Sequence, residues 1–331
     1  MREFRALMVG VGGFGAELAA ASRSCKYLRV VGACDSQNQA MAEFTRICDA
    51  RLYPSYEAAL RERHIDGVVI ATPNDTHREL IQKAASAGKH VFVEKPIANT
   101  VADARAIIKA TADAGVTLFV GHVARRTPPA RMAKKILEGG ELGKVVLIEG
   151  HIAHRGGMSL TPQTWRWYRD RCPGGPLIQL AVHTVDTFHY FMGPAKSVCA
   201  KVARLATPAE IEDTGVIALE YESGALGCIC TAYTVPSSKF TYIHGTEAAI
   251  FFDRESEDLK ISFKTGKTET RVPVVTTNAL VEELDEFAKC SLTGAKPETG
   301  GPEGLQALAV ILAALKSAQE GRTVAVSEVL A

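Results

Sequence analysis

The sequence predicts an α/β protein: an N-terminal doubly wound parallel sheet, then an α+β domain with a large, mostly antiparallel, open-faced sheet. Three observations predict it. From residue 5 to about 121, short apolar runs bounded by turn residues alternate with segments whose apolar residues recur at three-to-four spacing. That rhythm belongs to a parallel sheet covered on both faces. After about residue 122 it gives way to consecutive strand-like runs, several of them alternating apolar and polar residues, as in an antiparallel sheet with one open face. The length, 331 residues, is enough for about two domains at roughly 150 residues each.

In the first half, buried strands are predicted at 6–10, 30–34, 67–71, 90–93 and 117–120. Helices are predicted at 17–24, 38–48, 56–61, 77–87 and 101–114, joined by right-handed crossovers. Pro128-Pro129 opens a connecting helix over 130–139. Strands follow at 144–152, 197–205, 214–221, 225–234, 240–245, 248–252, 259–263 and 270–275. Helices at 278–291 and 302–319 close the chain, with Pro302 suited to a helix start. The expected domains are 1–122, for a dinucleotide, and 123–331, for substrate binding and oligomer contacts. The closing helices, 278–320, are placed to pack back on the first domain.

Composition narrows the partners. There are 38 Lys and Arg against 37 Asp and Glu, a formal charge of +1, which gives no support to a nucleic-acid or membrane-surface partner. Aromatic residues, at 7%, are too few for a single-strand stacking platform. The eight Cys are irregularly spaced and read as reduced, mostly buried thiols. The apolar run at 6–11 is too short for the apolar region of a signal peptide, and no stretch approaches a membrane span. A cytoplasmic protein is expected. His151 and His154 resemble a metal pair only superficially, and no metal is expected.

The chemistry starts at Gly10-Val11-Gly12-Gly13-Phe14-Gly15, a G-x-G-x-x-G sequence after the first strand and at the mouth of the first helix. Gly10 permits the tight turn, Gly12 lets the backbone approach a pyrophosphate, and Gly15 lets helix pack on strand. The helix N-terminus then offers free N–H groups and partial positive charge to the phosphates. Asp35 lies twenty residues past Gly15, at the end of the second strand, where a carboxylate hydrogen-bonds ribose hydroxyls. It would repel the 2′-phosphate of NADP by roughly 1–4 kcal/mol at about 4 Å, and Ser36-Gln37-Asn38 supplies no Arg or Lys to offset it. NAD is therefore expected over NADP. Two further motifs lie at the carboxyl ends of strands, where open α/β sheets hold their ligands. Thr72-Pro73-Asn74 with His77 follows the strand at 67–71, and Glu94-Lys95-Pro96 follows that at 90–93. A Lys in a partly dry cleft beside a cationic nicotinamide tends toward a lowered pKa and can serve proton transfer. As a surface residue paired with Glu94, it would have no such role.

These motifs, followed by Gly174-Gly175, His183, Asp186 and Gly245-Thr246-Glu247, resemble the glucose–fructose oxidoreductase / inositol dehydrogenase / MocA (Gfo/Idh/MocA) family over almost the whole chain. The resemblance implies a Rossmann domain, an open-faced sheet used for oligomer contacts, and oxidation or reduction of a secondary alcohol on a sugar, cyclitol or glycoside. It also implies that Lys95 lies near the reacting hydroxyl, that Pro96 has an unusual peptide geometry, and that His183 is the general acid/base. The chain departs from the family in one place: Gln179 stands where many members carry Asp. An amide hydrogen-bonds but does not hold a neighbouring Lys or His charged, so Gln179 reads as a substrate hydroxyl contact.

Asp186 is placed to orient His183 or hold the sugar. Arg125 and Arg126 follow the strand at 117–120 toward the cleft. Trp165 and Arg166 suit stacking on, and reading of, a carbohydrate. A loop packed against the second domain or a neighbouring subunit would present the same Trp165–Arg166 segment. Other readings are an enzyme that recycles tightly bound NAD in glycoside processing or keto-sugar reduction, and a non-catalytic NAD sensor. The intact pair Lys95 and His183 argues against the sensor. A homodimer or homotetramer through the second-domain sheet is expected.

Overall fold

The computed structural model describes residues 2–253, 258–263 and 269–331. The chain divides into two compact units, one formed by residues up to Val123 with Asn278–Leu305, the other by Ala124–Thr277 with Gln306–Ala331.

The first unit is a doubly wound sheet. Strands β1 (Phe4–Val9), β2 (Leu28–Cys34), β3 (Arg51–Leu52), β4 (Gly67–Ile70), β5 (His90–Glu94) and β6 (Leu118–Gly121) lie in the order β3-β2-β1-β4-β5-β6. All neighbours pair in parallel. Between them run helices α1 (Phe14–Ser22), α2 (Asn38–Phe44), α3 (Tyr56–Leu60), α4 (His77–Ser86) and α5 (Val101–Asp113). Local chemistry starts several of them: the Ser55 hydroxyl accepts from Ala58 N at α3, and Thr100 accepts from Asp103 N at α5. Strand β3, only two exposed residues at a sheet edge, carries no apolar pattern that the sequence could announce.

Helix α8 (Ala279–Thr293) belongs to this unit and starts where Asn278 accepts from Leu280 N and Val281 N. Its Phe287 meets Phe4, Phe92 and Phe119 at centroid separations of 5.0, 5.8 and 6.1 Å, all edge-on, while Phe92 and Phe119 stack at 5.2 Å. Four aromatic rings from three strands and one helix thus fill the centre of the apolar cluster.

The second unit is a nine-stranded sheet, β14-β13-β12-β11-β7-β10-β9-β8-β15. The strands are β7 (Val145–Ala153), β8 (Ala195–Ala203), β9 (Thr214–Tyr221), β10 (Leu226–Ala232), β11 (Ser238–Gly245), β12 (Ala248–Asp253), β13 (Asp258–Phe263), β14 (Glu269–Pro273) and β15 (Val324–Ala325). Its pairs are antiparallel except β7 with β10. Helices α6 (Pro128–Glu138), α7 (Val182–Met192) and α10 (Val326–Leu330) complete the unit, and α9 (Gly301–Glu320) begins in the first unit and ends in this one. The sequence shows no amphipathic period over α7 for a physical reason: seven of its eleven residues are buried, so it lacks the polar face from which such a period is read. It packs on β7, where a Cβ on Gly150 would lie 2.6 Å from the Thr184 methyl and 2.8 Å from the Phe188 ring.

Candidate active site

In the first unit the glycine loop has the shape that a pyrophosphate needs. Gly10 has φ +81°, and a Cβ there would lie 2.8 Å from the Ala71 carbonyl oxygen; one on Gly15 would fall onto the carbonyl of Gly10. These two glycines are required by the fold itself. Gly12 and Gly13 are different. A Cβ on Gly12 would meet only Ala40, at 3.7 Å, and one on Gly13 nothing within 4 Å. No side chain caps the start of α1 at Gly13 and Phe14. The space over Gly12 and Gly13 and the uncapped N–H groups fit a dinucleotide phosphate.

Asp35 closes the loop from the side. One carboxylate oxygen accepts from Val11 N and the other from Gln37 N, both at 2.8 Å. A carboxylate offers about four acceptor positions, so both oxygens retain capacity for ribose hydroxyls. Ser36 beside it is exposed.

Thr72-Pro73-Asn74 and Glu94-Lys95-Pro96 emerge beyond the ends of β4 and β5, and His77 ties them together. Its Nδ1 lies 3.0 Å from the Pro96 carbonyl oxygen and its Nε2 3.1 Å from that of Thr72. Burial lowers the His77 pKa, and the two carbonyls work against it. With the ring fully buried, His77 serves the rim by holding its two loops rather than by facing outward, a task the sequence did not distinguish from cofactor contact. Thr72 and Thr76 hydroxyls lie 2.7 Å apart, and Asn74 Nδ2 donates to Asn99 Oδ1 at 3.2 Å. The Lys95–Pro96 peptide is cis, the unusual geometry that the family pattern implies. Lys95 is half-buried, whereas Glu94 is buried.

The second unit assembles its own group. His183 stands in the first turn of α7, half-buried, and lines an open recess with Thr127, Thr184, Thr187, Lys239 and His151. Ahead of it, residues Leu177–Ala181 form a π-helical turn, a distortion frequent at functional sites, so Gln179 and His183, four residues apart, are not joined by a regular α-helical turn. Gln179 Oε1 accepts from Arg166 Nε at 3.2 Å, and the Arg166 guanidinium lies 4.5 Å from the Trp165 ring centroid. Trp165, Arg166 and Gln179 are therefore one cluster.

Arg125 and Asp186 have another arrangement. Arg125 Nε and Nη2 donate to the two Asp186 oxygens at 2.8 and 2.6 Å, with both side chains almost wholly buried. Each engages the other's charge, and Asp186 orients Arg125. Arg126 is fully buried.

Three residues that the sequence does not single out as substrate or catalytic contacts join this unit's group. The parallel pairing of β7 and β10 brings their carboxyl ends to one edge, and the next residues, His154 and Tyr233, have ring centroids 4.9 Å apart. Burial holds the Tyr233 phenol far above its usual range, with Arg166 pulling the other way. Lys239, one residue into β11, pairs in register with Ile152 beside the same edge. Only the strand order could have found them. His151 stacks on Phe240 at 5.5 Å rather than on His154.

A parallel sheet ending in an open glycine cradle has the form of a dinucleotide-binding domain. Residues 4–122 match the oxidoreductase family with an NAD-binding Rossmann fold, and residues 134–326 match the C-terminal alpha/beta domain of the same family. The chain belongs to the Gfo/Idh/MocA oxidoreductases. It is 27% identical to a 1,5-anhydro-D-fructose reductase of Ensifer adhaerens, over 81% of this chain and 82% of that one. It is 28% identical to an inositol 2-dehydrogenase of Rhizobium meliloti, over 85% and 86%. A solved structure provisionally named an NADPH-dependent oxidoreductase, from Desulfitobacterium hafniense, superposes with a TM-score of 0.94 at 27% identity, covering both chains completely. The protein is thus an enzyme of the NAD-dependent sugar oxidoreductases. Among the described residues no helix is long and apolar enough to cross a membrane.

Proposed function

We propose that the enzyme transfers a hydride between NAD and a secondary alcohol or ketone of a sugar, cyclitol or glycoside, with Lys95 and His183 as its catalytic residues. The observation that carries most weight is the rim at β5: Lys95 stands beyond a strand end in a loop that His77 locks to the Thr72 carbonyl. Bound NAD supplies the hydride acceptor. Gly12, Gly13 and the start of α1 hold its pyrophosphate, and Asp35 holds the ribose and disfavours a 2′-phosphate. Lys95 donates a hydrogen bond to the substrate oxygen and stabilises the charge that develops there. His183 takes the hydroxyl proton in oxidation and returns it in reduction. Trp165, Arg166 and Gln179 contact the carbohydrate, and Arg125 with Asp186 braces α7.

The test is NADH formation with NAD and a panel of cyclitols, aldoses, glycosides and sugar acids. Lys95→Met should lower turnover by several orders of magnitude while NADH still binds. Near-normal turnover would reject the assignment. Silence throughout, with NADH already bound to the purified protein, would favour the recycling enzyme.

Assembly through the open face of the nine-stranded sheet is also proposed. On β9, Gly215, Ile217 and Leu219 are buried while Val216 is 52% exposed; on β10, Leu226 is 56% exposed. Such apolar exposure suits a symmetric contact. Light scattering at micromolar concentration should give a dimer or tetramer, and Val216→Glu should dissociate it; a monomeric wild-type protein would reject the proposal.

A further inference from the structure

The last residue of β5, Glu94, is a carboxyl in surroundings that resist its ionisation. It is 6% exposed, and its Oε1 has no hydrogen-bond partner. Its register partner on β6 is Gly121, whose missing side chain makes the room: a Cβ there would lie 2.6 Å from Oε1 and 2.9 Å from the Phe92 ring. An ionised carboxylate accepts several hydrogen bonds, and leaving one oxygen dry and unpartnered favours the neutral acid.

The groups around it divide. Lys95, next in the chain, favours ionisation, and Glu17 in the first turn of α1 opposes it. His77 of α4 is turned onto the Thr72 and Pro96 carbonyls, and His122 follows Gly121 on β6. Burial outweighs the lysine and pushes the Glu94 carboxyl up to about 8. At neutral pH the acid form dominates.

We propose that Glu94 titrates with the charge of the nicotinamide: it is neutral with no cofactor or with NADH, and ionises when the cationic ring of NAD binds. The inference rests on the hydride-transfer reading proposed above, which needs the nicotinamide next to the substrate oxygen that Lys95 holds. With NAD bound, the cationic ring would join Lys95 at one strand end, and Glu94 is the carboxyl adjacent to that lysine. Its proton would leave to solvent as NAD binds and would stay on the carboxyl when the bound cofactor is NADH, whose ring carries no charge. No covalent bond of Glu94 other than O–H changes.

Titration calorimetry at pH 7, in two buffers of different ionisation enthalpy, counts the protons released by NAD, NADH and ADP-ribose. A substantial fraction of one proton is expected with NAD, and almost none with NADH or ADP-ribose, which lack the cationic ring. NAD affinity should rise toward pH 8 by at most tenfold per pH unit, with NADH affinity flat. Glu94→Gln should abolish the release and the slope, and Glu94→Asp should retain both. No release in the wild type, equal release with ADP-ribose, or release that persists in Glu94→Gln would overturn the proposal. If Glu94→Gln does not fold, the wild-type comparison of the three ligands still decides. Lys95-dependent turnover without proton release would sink this inference and leave the hydride-transfer reading standing; release without Lys95-dependent turnover would do the reverse.

Discussion

Asp35→Asn separates two roles that one carboxylate performs. Its oxygens accept from Val11 N and Gln37 N at 2.8 Å each, tying the glycine loop to the end of β2. Asparagine keeps one oxygen and turns an amino group toward the second N–H, so one charge-assisted bond is lost. Such a bond contributes about 1.5–3 kcal/mol, and Asp35 is half-buried, which favours the lower end. At about 2–4 °C per kcal/mol for a unit of this size, Tm should fall by roughly 3–6 °C. The cofactor effect has a different origin. Removing the carboxylate charge removes a repulsion of the NADP 2′-phosphate of about 1–4 kcal/mol between bulk-water and surface screening, which shifts the NADPH-to-NADH affinity ratio at least about 5-fold toward NADPH. Fluorescence titration with both cofactors, beside a thermal melt, reads the two effects independently. A lowered Tm with an unchanged ratio would show that Asp35 only braces the loop and would refute the NAD-selection argument. An unchanged Tm would refute the bracing.

Gly12→Ala should leave Tm within about 1 °C, because the new methyl would meet only Ala40 at 3.7 Å, yet weaken NADH binding at least tenfold by filling the pyrophosphate cradle; a loss of folding instead would put the glycine among the structural ones. Asp186→Asn should destabilise the protein by about 3–5 kcal/mol, as expected when a buried pair loses one partner, and thermal melting checks it. A stable variant with a raised substrate KM would assign Asp186 to the sugar after all.

What could be read from the sequence follows from how local each signal is. The glycine loop, Asp35 and Glu94-Lys95-Pro96 are legible because each is a short run whose backbone task, a tight turn or a strand end, demands particular residues in a particular order. The parallel sheet is legible because buried strands and amphipathic helices alternate with different periods. His154, Tyr233 and Lys239 are not, because they enter through a parallel pairing of β7 with β10 and the neighbouring β11, strands distant in sequence whose order no local pattern encodes. Asp186 shows the remaining limit. Its spacing from His183 suggests one helix face and a shared task, yet the partner that takes its charge is Arg125, sixty-one residues earlier. Spacing along a helix tells which side chains can be near one another; which of them pair depends on what the rest of the fold buries beside them, and a buried carboxylate goes to the cation that can meet both of its oxygens.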